Sequence, residues 1–289
     1  MPSTTDPPGD DLDLERTAFD TSRQGFDLLR AACLLPRVEG RVPAIDTVED
    51  TVDAWAEELK HELAHERSWQ GPLHSLVSVL FTRHGLRGDD EDYDAPRNSF
   101  LEQVVARRCG LPISLSLLVV ETARRAGLLA CGLALPKHFM AGLMLRRPEA
   151  DPERSDSGDL FFIDAFHGQV LAAKDVAARA GLPLEELAEH LAPAAPELIL
   201  TRMLTNLRSS YLRRQDVPSC ARVLSRLLLL KPREAALHLE HAQLRHAQGD
   251  EQGALHDAEN GRKLARDPEE TDIAERILER LMKGAPWVH

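Results

Sequence analysis

The segment from Pro112 to Ala126 constrains the fold more than any other part of the sequence. It follows the turn Gly110-Leu111-Pro112, and proline suits the first position of a helix, where no amide hydrogen is required. Apolar residues then recur on every side of the predicted helix, at positions 113, 115, 117–120, 123 and 126. Because a helix that is hydrophobic all round must be covered all round, we predict that it lies at the centre of the fold.

Short extended segments follow this helix, whereas the residues before it have a helical pattern. The segments 130–135, 138–145 and 160–166 are too short for helices and are bounded by proline, glycine or aspartate, so they are predicted strands. Helices are predicted over 15–35, from 46 onward, over 72–84, around 102–108, and over 172–180 and 183–191. The predicted fold class is therefore α+β. Residues 1–14 are predicted to form a disordered tail, and residues 15–193 a helical segment plus the core.

Residues 197–289 are predicted to be an all-α region built from repeats. Gln215-Asp216 ends one predicted helix, and Gly249-Asp250 ends an equivalent helix 34 residues later. A period of about 34 residues with helix–turn–helix units is typical of tetratricopeptide repeats, abbreviated TPR. Roughly three units are needed for a stable array. The sequence holds two helix pairs and a last helix at 271–282, so we expect the array to rely on the preceding domain.

Charge and cysteine usage limit the classes of partner and compartment. The chain of 289 residues has a formal charge of −12 and a pI near 5.5, so we expect neither a nucleic acid nor a membrane partner. No run reaches the roughly 18 apolar residues of a membrane span, and the N-terminus lacks a signal-peptide pattern. The four cysteines are 33, 109, 131 and 220, and they form no C-x-x-C pair. We expect free thiols, a cytoplasmic location and no cofactor.

Two short motifs suggest metal sites, and neither pattern is complete. The sequence His61-Glu62-Leu63-Ala64-His65 matches H-E-x-x-H on a predicted helix, as in zinc peptidases. Charged residues flank the motif and no third ligand is evident, so a solvated helix is the favoured interpretation and the zinc peptidase a minor alternative. The run Asp89-Asp90-Glu91-Asp92 lacks the spacing of a calcium loop and is predicted to be a solvated turn. We therefore predict no metal site.

The central segment also presents most of the groups that acyl transfer requires. Such a site needs a nucleophile at a helix N-terminus, where free amides and the helix dipole stabilise a thiolate and an oxyanion. It also needs a histidine base and a group that orients the histidine. The helix starting at Pro112, then His138, then Asp164 occur in a suitable order. The alternative is that His138 and Asp164 form a buried pair that only supports the sheet.

Taken together, the motifs resemble those of a known family. The motifs that carry the resemblance are Asn98-Ser99-Phe100-Leu101, Gly110-x-Pro112-Ile113-Ser114, Arg125-x-Gly127, Pro136-x-His138-Phe139, Asp164-x-Phe166 and Arg202-Met203-Leu204-x-Asn206-Leu207. They resemble the bacterial transglutaminase-like/TPR family, whose members are often labelled invasion-regulator-type proteins. The resemblance implies a papain-like transglutaminase-like core followed by TPR helices. It also implies that His138 and Asp164 occupy the histidine and aspartate positions of a Cys-His-Asp triad.

Three positions depart from the pattern of that family. Pro112 stands at the position of the nucleophilic cysteine, Lys137 at that of a glycine, and Ala165 at that of a proline. Ser114, in the first turn of the helix, and Cys109, ahead of the turn, are the nearest replacement nucleophiles. A hydrogen-bonding serine and a buried cysteine are the more ordinary interpretations of the two.

The leading functional prediction is therefore a non-catalytic or altered pseudoenzyme. It would act through protein or peptide binding, in a regulatory role, using the TPR surface or the core cleft. Asn98, Gly110, Pro112 and Phe139 would belong to the framework of that cleft. The alternative is a cysteine or serine hydrolase, or an acyltransferase, that uses a His138–Asp164 dyad with Ser114 or Cys109.

Overall fold

The structure, a computed structural model, describes residues 12–146 and 158–283, and these residues form two units. The sheet unit comprises Leu28–Cys33 and Pro43–Met203. The helical unit comprises residues 12–27, Leu34–Val42 and 204–283. Each unit is thus assembled from segments that are not contiguous in sequence.

Twelve α-helices occur in the described residues, and they alternate with short 3₁₀ and π segments. They are α1 (Leu12–Ala18), α2 (Leu28–Cys33), α3 (Ile45–His65), α4 (Gly71–Val77), α5 (Leu101–Arg107), α6 (Pro112–Arg125), α7 (Ala173–Ala180), α8 (Pro196–Arg213), α9 (Val217–Leu230), α10 (Ala235–Ala247), α11 (Glu251–Leu264) and α12 (Pro268–Met282). A π-helical segment, Ser78–Arg83, continues α4, and 3₁₀ segments cover Leu35–Glu39, Pro96–Asn98 and Leu184–His190. None of the described helices is both long and apolar enough to cross a membrane.

The strands form two small sheets. The larger sheet is antiparallel, with the order β3 (Leu129–Leu135), β4 (His138–Leu145), β5 (Asp159–Asp164) and β6 (Gln169–Leu171). Two very short strands, β1 (Arg87–Gly88) and β2 (Cys109–Gly110), pair in parallel just before α6. The α+β class and the three predicted strand segments are confirmed, with β5 ending two residues earlier than predicted.

The central helix is confirmed as the buried element of the sheet unit. Ten of the fourteen residues of α6 are buried, and the helix packs on α3, β3 and β4. One face of the larger sheet carries Leu133, Met140 and Phe162, which pack with Val176 and Leu187 in a separate apolar cluster. Both faces of the sheet are thus covered, which explains why its strands are almost continuously apolar.

The predicted helix over 15–35 is wrong. Helix α1 ends at Ala18 and α2 begins at Leu28. Between them, the carboxylate of Asp20 accepts the backbone amide and the hydroxyl of Ser22, and Gly25 takes a φ of 78°. Aspartate side-chain bonds of this kind, and a positive φ, compete with a helix. Helix α1 also begins at Leu12, so the last residues of the predicted tail are helical; residues 1–11 lie outside the described part.

The helical unit repeats its local geometry. Helices α9 and α11 each span 14 residues, and they begin 34 residues apart, at Val217 and Glu251. Each is preceded by an aspartate whose side chain accepts the backbone amide three residues on. Asp216 accepts the amide of Ser219, and Asp250 accepts the amide of Gly253. An N-cap of this kind satisfies one of the free amides at a helix start.

The N-terminal segments of the helical unit pack on α9. Glu15 and Arg226 have fully buried side chains, with Nε and Oε2 separated by 2.7 Å. Arg222 donates from Nε to the carbonyl of Val38 at 2.5 Å. Helix α1 and the segment Leu35–Glu39 therefore cover part of the surface of α9.

Candidate functional site

The N-terminus of α6 carries Pro112 at its first position, and the hydroxyl of Ser114 in its first turn is already committed. Ser114 is fully buried. Its Oγ accepts the amide of Leu111 at 3.0 Å and donates to the carbonyl of Asn98 at 2.7 Å. Since the hydroxyl uses its proton and a lone pair within the fold, it acts here as a hydrogen-bonding residue of the first turn.

Asn98 holds three parts of this region together. Its backbone carbonyl accepts from Ser114 and from the amide of Leu111, and its side-chain Oδ1 accepts from Arg107 at 2.8 Å. Its Nδ2 donates to the carbonyl of Asp92 at 2.8 Å. Asn98 is fully buried. These hydrogen bonds satisfy the buried side-chain amide of Asn98 and fix the segment before α5 against the start of α6.

Cys109 lies beside this turn in surroundings that disfavour a thiolate. It is buried, and its Sγ donates to the carbonyl of Gly88 at 3.3 Å. Burial, and after it the negative charge of Asp89, raise the pKa of the Cys109 thiol. A reactive cysteine requires the opposite shift, so Cys109 has the character of a structural cysteine.

Gly110 must be a glycine because its neighbours leave no room. A Cβ at this position would lie 2.9 Å from Ser114 Oγ and from the Val104 side chain. On the neighbouring strand, Gly88 donates its amide to the carbonyl of Phe166 at 2.7 Å. The segment that follows β5 is therefore tied to the strand pair at the start of α6.

The acidic run after β1 is not the fully solvated turn that the sequence predicted, because Asp89 is buried. Its Oδ2 accepts from Arg107 at 2.6 Å, and its Oδ1 accepts the amide of Asp92 at 3.0 Å. Burial works against the charge, but the hydrogen bonds from Asp92, Arg107 and Asn98 lower the pKa of Asp89 below its usual value. The run therefore closes a loop around one buried carboxylate.

His138 and Asp164 lie on the same face of the larger sheet, and the structure does not join them. The register pairs Ala141 with Ile163, so the two residues are diagonal neighbours on the face that carries Met140. The side chain of His138 makes no hydrogen bond or ion pair with any described residue. Neither the dyad nor the supporting buried pair, the two interpretations drawn from the sequence, is formed as a contact.

Asp164 is instead paired locally. Its Oδ1 accepts the amides of Phe166 and His167 at 3.0 and 3.2 Å. Its Oδ2 lies 2.8 Å from Nδ1 of His167 and accepts from Arg179 of α7. The sequence indicated that this buried carboxylate needs a partner but missed both of these. A histidine three residues after the aspartate was the available signal for the first.

The hairpin between β3 and β4 explains one departure from the family pattern. Leu135 pairs with His138 across a two-residue turn, Pro136-Lys137. Lys137 has a φ of 61°, a conformation that favours glycine. Ala165 and Phe139 are both buried. Lys137 is exposed, so the cost of a lysine at this position is confined to the local backbone strain.

The H-E-x-x-H motif lies on the exposed end of α3. The rings of His61 and His65 are 4.9 Å apart, and Nδ1 of His65 lies 2.8 Å from the carbonyl of His61. Glu62 is paired with Arg83 at 2.9 Å. No group of three ligating side chains suited to a metal ion occurs within residues 12–146 and 158–283.

A second polar cluster, in the helical unit, was not found from the sequence. Ser225 Oγ lies 3.1 Å from Nε2 of His241, and Nδ1 of His241 lies 2.9 Å from Oδ2 of Asp257. The atoms have the order of a hydrolase triad, but Ser225 lies within α9, where backbone amides bond inside the helix. No free amide of α9 is therefore beside Ser225 to stabilise an oxyanion, so the cluster lacks a part that a hydrolase site requires.

Comparison with known proteins identifies relatives over most of the chain. A sequence profile of the transglutaminase-like superfamily matches residues 46–205. A UPF0162 protein of Xylella fastidiosa (strain Temecula1) is 32% identical over 240 residues, which cover 80% of this chain and 81% of that protein. A UPF0162 protein of Pseudomonas aeruginosa is 31% identical over 197 residues, which cover 66% and 68%.

F-box only protein 21 matches over a shorter stretch. F-box only protein 21 of Mus musculus is 34% identical over 104 residues, which cover 36% of this chain and 16% of that protein. No solved structure matches the chain.

Proposed function

The chain belongs to the transglutaminase-like superfamily, and on that premise we propose that it is a non-catalytic member that binds a protein or peptide partner. The observation that carries the proposal is the start of α6. Pro112 occupies the position of the nucleophile, and the hydroxyl of Ser114 donates to Asn98 and accepts from Leu111. A nucleophile needs a base in reach, and neither group is presented to one.

The other parts of an acyl-transfer site support the same conclusion. The Cys109 thiol is buried and its pKa is raised, which disfavours the thiolate that a cysteine alternative requires. Asp164 is engaged with His167 and Arg179, so it does not orient His138. The hydrolase or acyltransferase alternative would require Ser114 or Cys109 to leave its present partner.

The C-terminal helices are, in this proposal, TPR-like repeats. The 34-residue spacing of α9 and α11, with the same aspartate cap before each, supports this assignment. However, helix α1 and the segment Leu35–Glu39 already pack on α9. This self-contact favours the core, rather than the surface of α9, as the place where a partner binds. A regulatory role in the cytoplasm is consistent with four free cysteines.

The test is to incubate the purified protein with peptide amides and esters, iodoacetamide and a fluorophosphonate probe. We expect no turnover and no labelling that depends on His138. Turnover that disappears in His138→Ala but persists in His256→Ala, a change at an exposed histidine of α11, would overturn the proposal.

A further inference from the structure

Arg202, in the first half of α8, is a half-buried cation that no described carboxylate neutralises. Its Nη1 donates to the carbonyl of Leu135 at 3.3 Å, and its Cζ lies 5.9 Å from the centre of the Phe139 ring. Both partners are uncharged, and Arg202 forms no ion pair with residues 12–146 or 158–283. In a chain with a formal charge of −12, a sheltered guanidinium without a counter-ion is unexpected.

The neighbours of Arg202 confirm that its charge is not compensated. Burial lowers the pKa of Arg202, and the phenol of Tyr93 opposes that shift. Burial likewise raises the pKa of Tyr93, Asp94 adds to the rise, and the charge of Arg202 opposes it. The ionisable group that acts on Arg202 is thus a phenol, which is neutral at ordinary pH.

The same place gathers further positive charge from the hairpin. Leu135, whose carbonyl Arg202 contacts, pairs directly with His138. Lys137 lies between them at the second turn position, and its side chain is exposed. The Arg202 guanidinium and the Lys137 ammonium therefore lie at the same end of this hairpin.

Aromatic rings lie beside this charge. The ring centres of Tyr93 and Phe166 are 5.8 Å apart, and 49% of Tyr93 is exposed to solvent. Phe139 lies under Arg202, where a ring face stabilises a cation. The guanidinium thus packs on one buried ring, that of Phe139, and the half-exposed Tyr93 is near enough for its phenol to affect the pKa of Arg202.

From this arrangement we propose that Arg202, with Lys137 and Tyr93, binds a carboxylate of the partner peptide, and that an apolar side chain next to that carboxylate packs on Tyr93 and Phe166. This inference rests on the proposed function and names the chemistry of the partner. Arginine recognises a carboxylate through two parallel N–H donors, and such charge-assisted bonds are the strong ones. The carboxylate can be a chain terminus or an aspartate or glutamate side chain.

Three tetrapeptides test the inference by isothermal titration calorimetry with the full chain. They are acetyl-Ala-Ala-Leu-Phe as the free acid, the same peptide as the amide, and acetyl-Ala-Glu-Leu-Phe amide. We expect a carboxylate peptide to bind about tenfold or more tightly than the uncharged amide. Preference for the free acid identifies a terminal carboxylate, and preference for the glutamate peptide identifies a side-chain carboxylate.

Variants assign the effect to this site. Arg202→Gln should abolish the difference between acid and amide, and Lys137→Gly, which relieves the positive φ, should reduce it several-fold in a folded protein. Arg124→Gln is the matched control because Arg124 also donates to a β3 carbonyl, that of Ala130 at 2.9 Å, but lies on an exposed surface. It should leave the difference unchanged.

The outcomes separate this inference from the proposed function. Equal binding of all three peptides, no binding of any, or a difference that survives in both Arg202→Gln and Lys137→Gly would overturn the carboxylate site. None of these results involves turnover, so each leaves the non-catalytic proposal standing. Turnover that depends on His138 would overturn that proposal by itself.

Discussion

Gln215 and Gly249 lie 34 residues apart and share one left-handed backbone conformation, with φ of 57° and 82°. Each precedes an aspartate N-cap, so the two turns are equivalent positions of a repeat. Glycine suits this conformation, so Gly249 is unstrained, whereas glutamine at position 215 is strained. The pair therefore allows a test of backbone strain at matched sites.

We expect Gln215→Gly to raise the free energy of unfolding by about 0.5–1 kcal/mol and Gly249→Ala to lower it by about 1 kcal/mol. Gln215 is exposed, and a Cβ at Gly249 would meet nothing within 4 Å, so packing changes little at either site. Urea unfolding followed by circular dichroism measures both. Changes of the same sign would contradict the equivalence of the two turns.

Ser114→Ala should destabilise the protein without altering peptide binding. The change leaves the Leu111 amide without its acceptor and the Asn98 carbonyl without its donor, which costs about 1–3 kcal/mol. Ser116→Ala is the control, because Ser116 is equally buried in α6 and its Oγ has no hydrogen-bond partner among residues 12–146 and 158–283. Urea unfolding should show a loss for Ser114→Ala alone. A similar loss in both variants would show that hydroxyl bonding is not the cause.

Asp164→Ala should cost much more stability than His138→Ala. The aspartate accepts two backbone amides and is paired with His167 and Arg179, so its removal should cost about 2 kcal/mol after allowance for the exposure of both partners. His138 makes no such bonds, and its removal should cost below about 1 kcal/mol. Thermal and urea unfolding of both variants give the comparison. Equal losses would indicate that the two residues act together.

The elements that sequence predicts best are those whose pattern is local. Helix α6 and strand β4 were predicted almost to the residue, because an all-round apolar helix and a short apolar run between turn residues are visible within a short window. The partners of Asp164 were missed because Arg179 lies 15 residues away on another element. The assignment of Glu15 to the helical unit depends on Arg226, 211 residues later, and no window contains both.

The candidate site shows the same limit in its chemistry. The sequence identifies His138, Asp164 and Pro112 as candidate site residues in a suitable chain order. It does not show which side chains form hydrogen bonds with each other. The structure shows these partners: the Ser114 hydroxyl donates to the carbonyl of Asn98, and the carboxylate of Asp164 lies within hydrogen-bond distance of His167. Arg202 was quoted only as part of a motif, since a missing counter-ion is a property of the fold.

The cluster around Asp257 should make stability depend on pH. Burial alone would raise the pKa of Asp257, but the imidazoles of His238 and His241, which lie 3.6 and 2.9 Å from its carboxylate, and the charge of Arg245 hold it well below its usual range. The nearby carboxylate of Asp257 raises the pKa of His238, against the effect of burial. On the far side of His241, the hydroxyl of Ser225 in α9 lies 3.1 Å from Nε2 of the imidazole.

The direction in which the free energy of unfolding changes with pH follows from the linkage between proton binding and folding. The contribution of Asp257 is present above its unfolded pKa of 3.8 and is lost as the pH falls through the lowered folded value. The contribution of His238 is present below its unfolded pKa of 6.5 and is lost as the pH rises through the raised folded value. The stabilisation should therefore be greatest between these two pH values.

Asp257→Asn should lower the free energy of unfolding there by about 2–4 kcal/mol, and by less at either extreme. Asp272→Asn, which breaks the exposed pair with Arg276, should show a small loss at every pH. Urea unfolding at a series of pH values measures both variants, and a loss in Asp257→Asn that did not change with pH would contradict the role of the two ionised partners.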